Sequence, residues 1–193
     1  MTSASTIRDA PGSTATERRI NVVQGEYQVT TDPTVVLTTL LGSCVAACMR
    51  DPVSGVGGMN HFLLPGDDRE DGTESLRYGV HSMELLVNGL LRAGARRDRL
   101  EGKLFGGARL LRGLTDIGEL NSAFAEGFFR REGIRLVGAS LRGEQGRRVQ
   151  YWPSTGRARQ MALGNDAAAV FDSERRRSKP APAPVDDGAV ELF

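Results

Sequence analysis

The sequence has few cysteines and few aromatic residues, and it lacks a long apolar run. Its 193 residues include only two cysteines, and aromatic residues make up 6% of the chain. Two cysteines do not make the disulfide framework of a small secreted protein, so a reducing, cytoplasmic location is expected. No apolar stretch approaches the roughly 20 residues that a membrane-spanning helix needs, and the first residues contain no secretory-type apolar segment. Membrane insertion is therefore not expected.

An excess of charge is missing as well. With 25 Lys and Arg against 24 Asp and Glu, the formal net charge is +1, so no overall field attracts the chain to nucleic acid. A hydrophobic content of 39% suffices for one ordinary domain with a core, but not comfortably for two. We expect that domain over residues 20–165, between a mobile N-terminal segment at 1–19 and a disordered Pro/Ala/Arg-rich tail at 166–193.

Two apolar runs around a turn contain the most informative residues. Residues 44–50 are small, apolar and β-compatible, residues 51–55 are typical of a turn, and residues 56–64 form a second apolar run. This pattern predicts a β-hairpin that brings Cys44 near His61. A thiol attacks as its thiolate, of which only about a few per cent exists at neutral pH, and a nearby imidazole removes that limit.

The register of the hairpin decides whether the two side chains can meet. If Arg50 pairs with Gly55, Cys44 and His61 face the same side of the sheet, whereas pairing Arg50 with Val56 sends His61 to the other side. The sequence leaves both registers open.

The cysteines and histidines also have structural interpretations. A cysteine in an apolar strand is usually an inert small side chain, and we expect this of Cys48. His81 lies at the edge of a helical apolar stripe, where a solvated histidine is the simpler interpretation. Zinc binding by Cys44, Cys48, His61 and His81 is disfavoured, because strand residues four apart stand about 13 Å from each other.

Two helices are predicted by apolar residues at helical spacing. The first begins with Thr73 as its N-cap and is closed by Gly94, and the second covers 120–129 and ends at Gly133. Gly106 and Gly107 follow a strand, where close packing or a substrate-facing turn is favoured over phosphate binding. Strands are predicted over residues 21–23, 27–30, 35–37, 101–105, 134–141, 147–152 and 157–163. Hairpins and short loops make them mainly antiparallel.

Several motifs, taken in order, resemble those of one family. They lie at residues 38, 41–45 (LGSCV), 49–52 (MRDP), 59–65 (MNHFLLP), 77–78, 94–95, 100–101, 103–108 (KLFGGA), 121 and 155–156. In this order they resemble the CheD family, the chemoreceptor glutamine deamidases of bacterial and archaeal chemotaxis. The resemblance implies a single-domain α/β sandwich of the α+β type, with a mixed, mainly antiparallel sheet and two principal helices.

The same resemblance implies a Cys-His-Thr site. Cys44 would be the nucleophile, His61 the base and acid, and Thr38 the residue that orients the imidazole. The backbone amides around Gly42 and Ser43 are candidate oxyanion donors, since glycine lets a chain approach a ligand closely.

Partners also follow from the resemblance. It implies glutamines on the cytoplasmic helical domain of methyl-accepting chemotaxis proteins as substrates and a CheC-type phosphatase as a regulatory partner. A monomer without cofactor or metal is expected. Two alternatives remain open: a cysteine amidase with another substrate, and a non-catalytic adaptor that binds receptors or the phosphatase.

Overall fold

The structure is a computed structural model that describes residues 16–64, 73–109 and 116–164. The predicted tail and most of the predicted N-terminal segment lie outside these ranges, and β1 begins two residues before the predicted start of the domain. The strands are β1 (Arg18–Asn21), β2 (Tyr27–Thr30), β3 (Val35–Leu41), β4 (Val45–Arg50), β5 (Gly57–Asn60), β6 (Glu101–Gly106), β7 (Arg135–Leu141), β8 (Arg147–Trp152) and β9 (Arg157–Ala162). The helices are α1 (Thr73–Arg92) and α2 (Ile117–Arg131), with a 3-10 turn at Arg97–Arg99.

The described strands form two mixed sheets. One has the order β1-β3-β8-β9 and the other the order β2-β5-β4-β6-β7. The β1–β3 and β6–β7 pairs are parallel, and the remaining neighbours are antiparallel. The α+β class and the mainly antiparallel pairing are thus confirmed. The division into two sheets was not foreseen, because apolar alternation along a strand does not reveal which strand lies beside it.

The five-stranded sheet lies between the helices and the four-stranded sheet. Residues 45, 47 and 49 of β4 pack with apolar side chains of α1 and α2. Residues 46 and 48 pack in a second cluster with side chains of β3 and β8, which we call the inter-sheet cluster. Since successive strand residues point to opposite faces, β4 is buried on both sides and forms the centre of the domain.

Both predicted helices are present. α1 starts at Thr73, and Gly94, with a φ of 102°, follows its end. The Asp116 side chain caps α2 by accepting a 3.0 Å hydrogen bond from the Glu119 amide, and Gly133, with a φ of 65°, follows the last turn. Neither helix, nor any other within the described ranges, is long and apolar enough to span a membrane.

The hairpin of β4 and β5 has a wider turn than either predicted register allows. Arg50 pairs with Gly57, because residues 51–56 are wrapped around the Asp51 side chain. Its Oδ1 accepts hydrogen bonds from the amides of Val53 at 2.9 Å and Ser54 at 3.3 Å. The pairing is shifted by two residues from the first predicted register, and an even shift leaves every side chain on the same face.

Candidate active site

The hairpin register turns Cys44 and His61 toward the same side. An isolated bridge pairs Val45 with Phe62, so His61 stands opposite Ala46. Cys44 lies two residues before Ala46, just ahead of β4. Ala46 and the partly buried Cys44 both belong to the inter-sheet cluster. Cys44 and His61 therefore lie on the side of the hairpin that faces the gap between the two sheets, with Cys44 one diagonal step from His61.

A threonine from β3 contacts the imidazole, and it is Thr39. The Thr39 hydroxyl oxygen lies 2.9 Å from Nδ1 of His61, and Thr39 is 2% exposed. Thr38, the orienting residue that the family resemblance implies, instead approaches the Asn21 side-chain oxygen at 3.4 Å. Strand alternation explains the difference, since the second neighbours of Thr39 on either side are buried in the inter-sheet cluster. Thr38 consequently points to the opposite face of β3.

The hydrogen bonds around His61 determine its tautomer. The Thr39 hydroxyl donates to the carbonyl of Val22 at 2.7 Å, so its single proton is engaged and its oxygen is left to accept. Nδ1 of His61 also lies 3.3 Å from the same carbonyl, which can only accept. Both neighbours therefore require the proton on Nδ1, and Nε2 is the basic nitrogen.

Nε2 of His61 is buried and has no hydrogen-bond partner among the residues that the structure describes. Burial lowers the pKa of His61 to about 4, against a smaller opposing effect of its contact with the Val22 backbone. The imidazole is therefore neutral at physiological pH, and its free lone pair is available to take a proton.

Cys44 is also held in its neutral form. Burial raises the pKa of its thiol to about 12, and its own backbone amide opposes this only in part. Sγ donates to the side-chain oxygen of Gln24 at 3.4 Å and makes no hydrogen bond to His61. The ionised thiol that the sequence suggested is thus not the resting state, because desolvation disfavours charge on both partners.

The three backbone carbonyls of residues 42–44 all accept hydrogen bonds. The carbonyls of Gly42 and Cys44 accept the amides of residues 108 and 107, at 2.7 and 2.8 Å. The Ser43 carbonyl accepts from the side chain of Asn121 at 3.2 Å. Within the described ranges, the amides of Ser43 and Cys44 donate to no other residue. These two N–H groups are therefore candidate donors to an incoming oxygen.

Glycines 106 and 107 allow a close approach to this segment. Both have positive φ, 111° and 67°. A Cβ on Gly106 would overlap the Cys44 carbonyl, and a Cβ on Gly107 would overlap the Ser122 hydroxyl. The predicted close packing at this turn is confirmed, and it holds the backbone of Cys44 in place.

Two buried asparagines anchor the hairpin to the helices. Asn60, beside His61, accepts from the Ala47 amide at 3.0 Å and donates to the Ser82 carbonyl of α1 at 3.2 Å. Asn121 of α2 accepts from the Leu64 amide at 2.8 Å. Asn60 interrupts an apolar run, and Asn121 falls on the apolar stripe of α2, at helical spacing from Phe124 and Phe128. These positions could have marked both residues as buried polar anchors.

The remaining candidate residues lie apart from the site. Cys48 is fully buried in the inter-sheet cluster, as predicted, and His81 is on the exposed side of α1. Among the described residues, no group of three or more Asp, Glu, His or Cys side chains is placed to hold a metal ion.

Comparison with known proteins identifies the family. The family model described as "CheD chemotactic sensory transduction" matches residues 63–161, which is half of the chain. The chain belongs to the CheD family. A relative from Acidiphilium cryptum is 61% identical over 180 residues, covering 91% of this chain and 94% of its own. One from Rhizobium meliloti is 56% identical over 182 residues, covering 93% and 98%.

Both relatives have the curated name "Probable chemoreceptor glutamine deamidase CheD". Their coverage is high enough to include Cys44 and His61 of this CheD-family chain. Similarity to solved structures is lower. A hypothetical protein from Bacillus licheniformis, YfiH, covers 67% of this chain and 61% of its own, at 15% identity and a TM-score of 0.38, and we base no argument on it.

Proposed function

We propose that this protein is a chemoreceptor glutamine deamidase in which Cys44 attacks the side-chain carbonyl of a receptor glutamine and His61 transfers the protons. One observation supports this most strongly. The basic Nε2 of His61 is buried, has no hydrogen-bond partner among the described residues, and lies on the same face as the Cys44 thiol. The curated name of the relatives supports the reaction and its substrate.

The first step couples proton transfer to attack. Nε2 of His61 takes the thiol proton while Sγ forms a bond to Cδ of the substrate glutamine. The imidazolium that results still has Nδ1–H directed at the Thr39 hydroxyl and the Val22 carbonyl, both acceptors. The oxygen that becomes negative is stabilised by the free amides of Ser43 and Cys44, and Gly42 shapes the turn that presents them.

The second half of the reaction returns every proton. His61 protonates the nitrogen, the C–N bond breaks, and ammonia leaves a Cys44 thioester. The neutral imidazole then removes a proton from water as its oxygen attacks the thioester carbonyl. The C–S bond breaks, Sγ regains a proton, and glutamate is released. The net change consumes one amide and one water and produces one acid and one ammonia.

Thr39 is the residue that we assign to the orienting role, in place of Thr38. Its hydroxyl bridges Nδ1 of His61 and the carbonyl of Val22, so it fixes both the ring orientation and the tautomer. An acceptor behind a catalytic imidazole also favours the imidazolium that forms during attack.

The partners in this proposal follow from the family and from the substrate named for its members. We expect the cytoplasmic helical domain of chemoreceptors to bind at the Cys44 side, and a CheC-type phosphatase to be a regulatory partner. A monomeric state and a cytoplasmic location belong to the same proposal.

The test is deamidation of a receptor cytoplasmic fragment, measured by intact mass and by released ammonia. Wild type should convert receptor amides to acids, and Cys44→Ala should not. Cys48→Ala is the matched control, because Cys48 is fully buried in the inter-sheet cluster, and it should retain most activity. Equal activity in wild type and Cys44→Ala would contradict the nucleophile assignment. Wild type without turnover would favour the adaptor, and ammonia from other amides alone would favour another substrate.

A further inference from the structure

The segment that joins β1 to β2 runs along the candidate active site. The carbonyl of Val22 accepts from Thr39 at 2.7 Å. The amide of Gly25 donates to the His61 carbonyl at 2.8 Å, and the His61 amide donates to the Glu26 carbonyl at 3.0 Å. The backbone on both sides of Gln24 is therefore fixed to the residues that surround the imidazole. This arrangement positions the Gln24 side chain in front of the thiol.

Gln24 has the functional group that the enzyme is proposed to hydrolyse. Its side-chain oxygen lies 3.4 Å from Sγ of Cys44, so a glutamine carboxamide of the protein itself contacts the nucleophile. We propose that Gln24 occupies the position of the substrate carboxamide in the free enzyme and competes with it, which makes Gln24 a determinant of substrate affinity. This inference rests on the proposed function, because it takes Cys44 as the nucleophile.

The geometry explains why Gln24 is held rather than hydrolysed. The thiol donates its proton toward the carboxamide oxygen, so sulfur faces the oxygen end of the group and not the carbonyl carbon. In this arrangement the thiol proton is directed at Gln24 and not at Nε2 of His61, so the thiol is not yet in contact with the base that must take its proton during attack. A hydrogen bond donated by the thiol also stabilises its neutral form.

The same geometry lets the side chain be displaced. Gln24 is exposed, and a thiol is a weak donor, so little is lost when the contact opens. Its neighbours keep their backbone hydrogen bonds to His61, so the side chain can swing out without movement of the chain. A small amide makes few contacts, so its binding free energy hardly offsets the loss of the Gln24 contact. A receptor binds over a larger surface, and its additional contacts displace the Gln24 side chain.

The experiment compares Gln24→Ala with wild type and with Gln160→Ala. Gln160 is an exposed glutamine on β9, so the control makes the same substitution away from the site. The first measurement is the rate at which iodoacetamide alkylates Cys44 at one fixed pH, read by peptide mass mapping. The second is steady-state kinetics on the receptor fragment, which gives kcat and KM. We expect Gln24→Ala to be alkylated about threefold to tenfold faster and to have a KM lower by a similar factor, at unchanged kcat.

A second variant tests the contact itself. Gln24→Glu keeps the length of the side chain and places a carboxylate beside Sγ, which disfavours the thiolate. It should be alkylated more slowly than wild type, the opposite of Gln24→Ala.

Three results would overturn the inference: an alkylation rate in Gln24→Ala no faster than in Gln160→Ala, a fall in kcat at unchanged KM, or Cys44-dependent conversion of Gln24 itself to glutamate in wild type. Alkylation does not require deamidase activity. If the Gln24 variants behave like wild type while receptor deamidation still depends on Cys44, only the inference about Gln24 is wrong. If receptor deamidation does not depend on Cys44, the proposed function is wrong, and the receptor assay alone shows this.

Discussion

Each end of the central hairpin buries a polar side chain, and the two side chains differ in how many of their hydrogen-bonding positions are filled. At the turn, the fully buried Asp51 carboxylate accepts five hydrogen bonds, two of them from the Arg99 guanidinium. At the open end, His61 is 5% exposed, and its Nε2 has no partner among the described residues. The filled hydrogen bonds of Asp51 fit a role in the fold, whereas the open position at Nε2 fits the catalytic role that we propose for His61.

The largest effect is expected at the open end. His61→Ala should lower kcat on the receptor fragment by about 10²-fold to 10⁴-fold, the usual contribution of a positioned acid and base. Its free energy of unfolding should fall less than that of an Asp51 variant, because the substitution removes only the Nδ1 contacts with Thr39 and Val22, whereas Asp51 accepts five hydrogen bonds. Turnover and denaturant unfolding measured on the same preparation test both parts. Activity within tenfold of wild type would show that another group supplies the base.

The opposite outcome is expected at the turn. Asp51→Ala should lower the free energy of unfolding by about 2 to 3 kcal/mol, because it leaves turn amides and a partly buried Arg99 without their acceptor. Activity per folded molecule should stay near that of wild type, since Asp51 lies at the far end of β4 from Cys44. Denaturant unfolding gives the stability, and turnover normalised to folded protein gives the activity. A large loss of turnover in fully folded protein would contradict the division between the two ends.

A smaller effect is expected for the threonine behind the imidazole. Thr39→Val should lower kcat about tenfold, as loss of an orienting partner typically does, and Thr39→Ser should restore most of it by returning the hydroxyl. Thr38→Val, the matched control one residue away, should change kcat by less than about twofold, because Thr38 contacts Asn21 rather than His61. If Thr38→Val is the more damaging variant, the assignment that the family resemblance implies is the correct one.

The smallest effect concerns pH. His61 must be neutral to act as a base, and burial lowers its pKa to about 4 from 6.5. The acid limb of kcat/KM should therefore lie near pH 4 rather than near pH 6.5.

Stability should respond over the same pH range. Between pH 4 and 6.5 the unfolded chain binds a proton at His61 and the folded chain does not, so the free energy of unfolding should fall as pH falls through this window. His61→Ala should remove that part of the slope in urea unfolding measured across the window.

Asp51 responds at lower pH. Burial opposes its ionisation, but the hydrogen bonds from the backbone amides of Arg96 and Val53 and from the Arg99 side chain hold its pKa well below the ordinary 3.8. Its contribution to stability is complete above that ordinary value and is lost only as pH falls below it. Acid unfolding curves of wild type and Asp51→Ala should therefore converge below pH 3.8. Convergence already near pH 6 would contradict this account.

Local patterns in the sequence were sufficient for the helices and for a hairpin that places Cys44 and His61 on the same face. Apolar spacing located α1 and α2, and Gly94 and Gly133 marked where they end. The register was not predictable, because it depends on how the Asp51 side chain binds the turn amides. Thr38 and Thr39 are adjacent on β3 and face opposite sides of the sheet, and the sequence alone does not show which of them faces His61.

The contacts of Thr39 and Gln24 were beyond local patterns for a different reason. They depend on the parallel pairing of β1 with β3, which carries the segment after β1 across the gap between the sheets. Such pairings join residues far apart in sequence, and no spacing rule encodes them.

Asn121 has a consequence for motion. Its single carboxamide binds the chain next to Cys44, through the Ser43 carbonyl, and the chain beyond His61, through the Leu64 amide. Separating the two segments breaks a hydrogen bond to α2, so we expect opening of the site and undocking of α2 to form one cooperative unit. The Leu64 amide should accordingly exchange with deuterium about as slowly as the backbone amides of α2, and not as fast as amides in a freely exchanging segment.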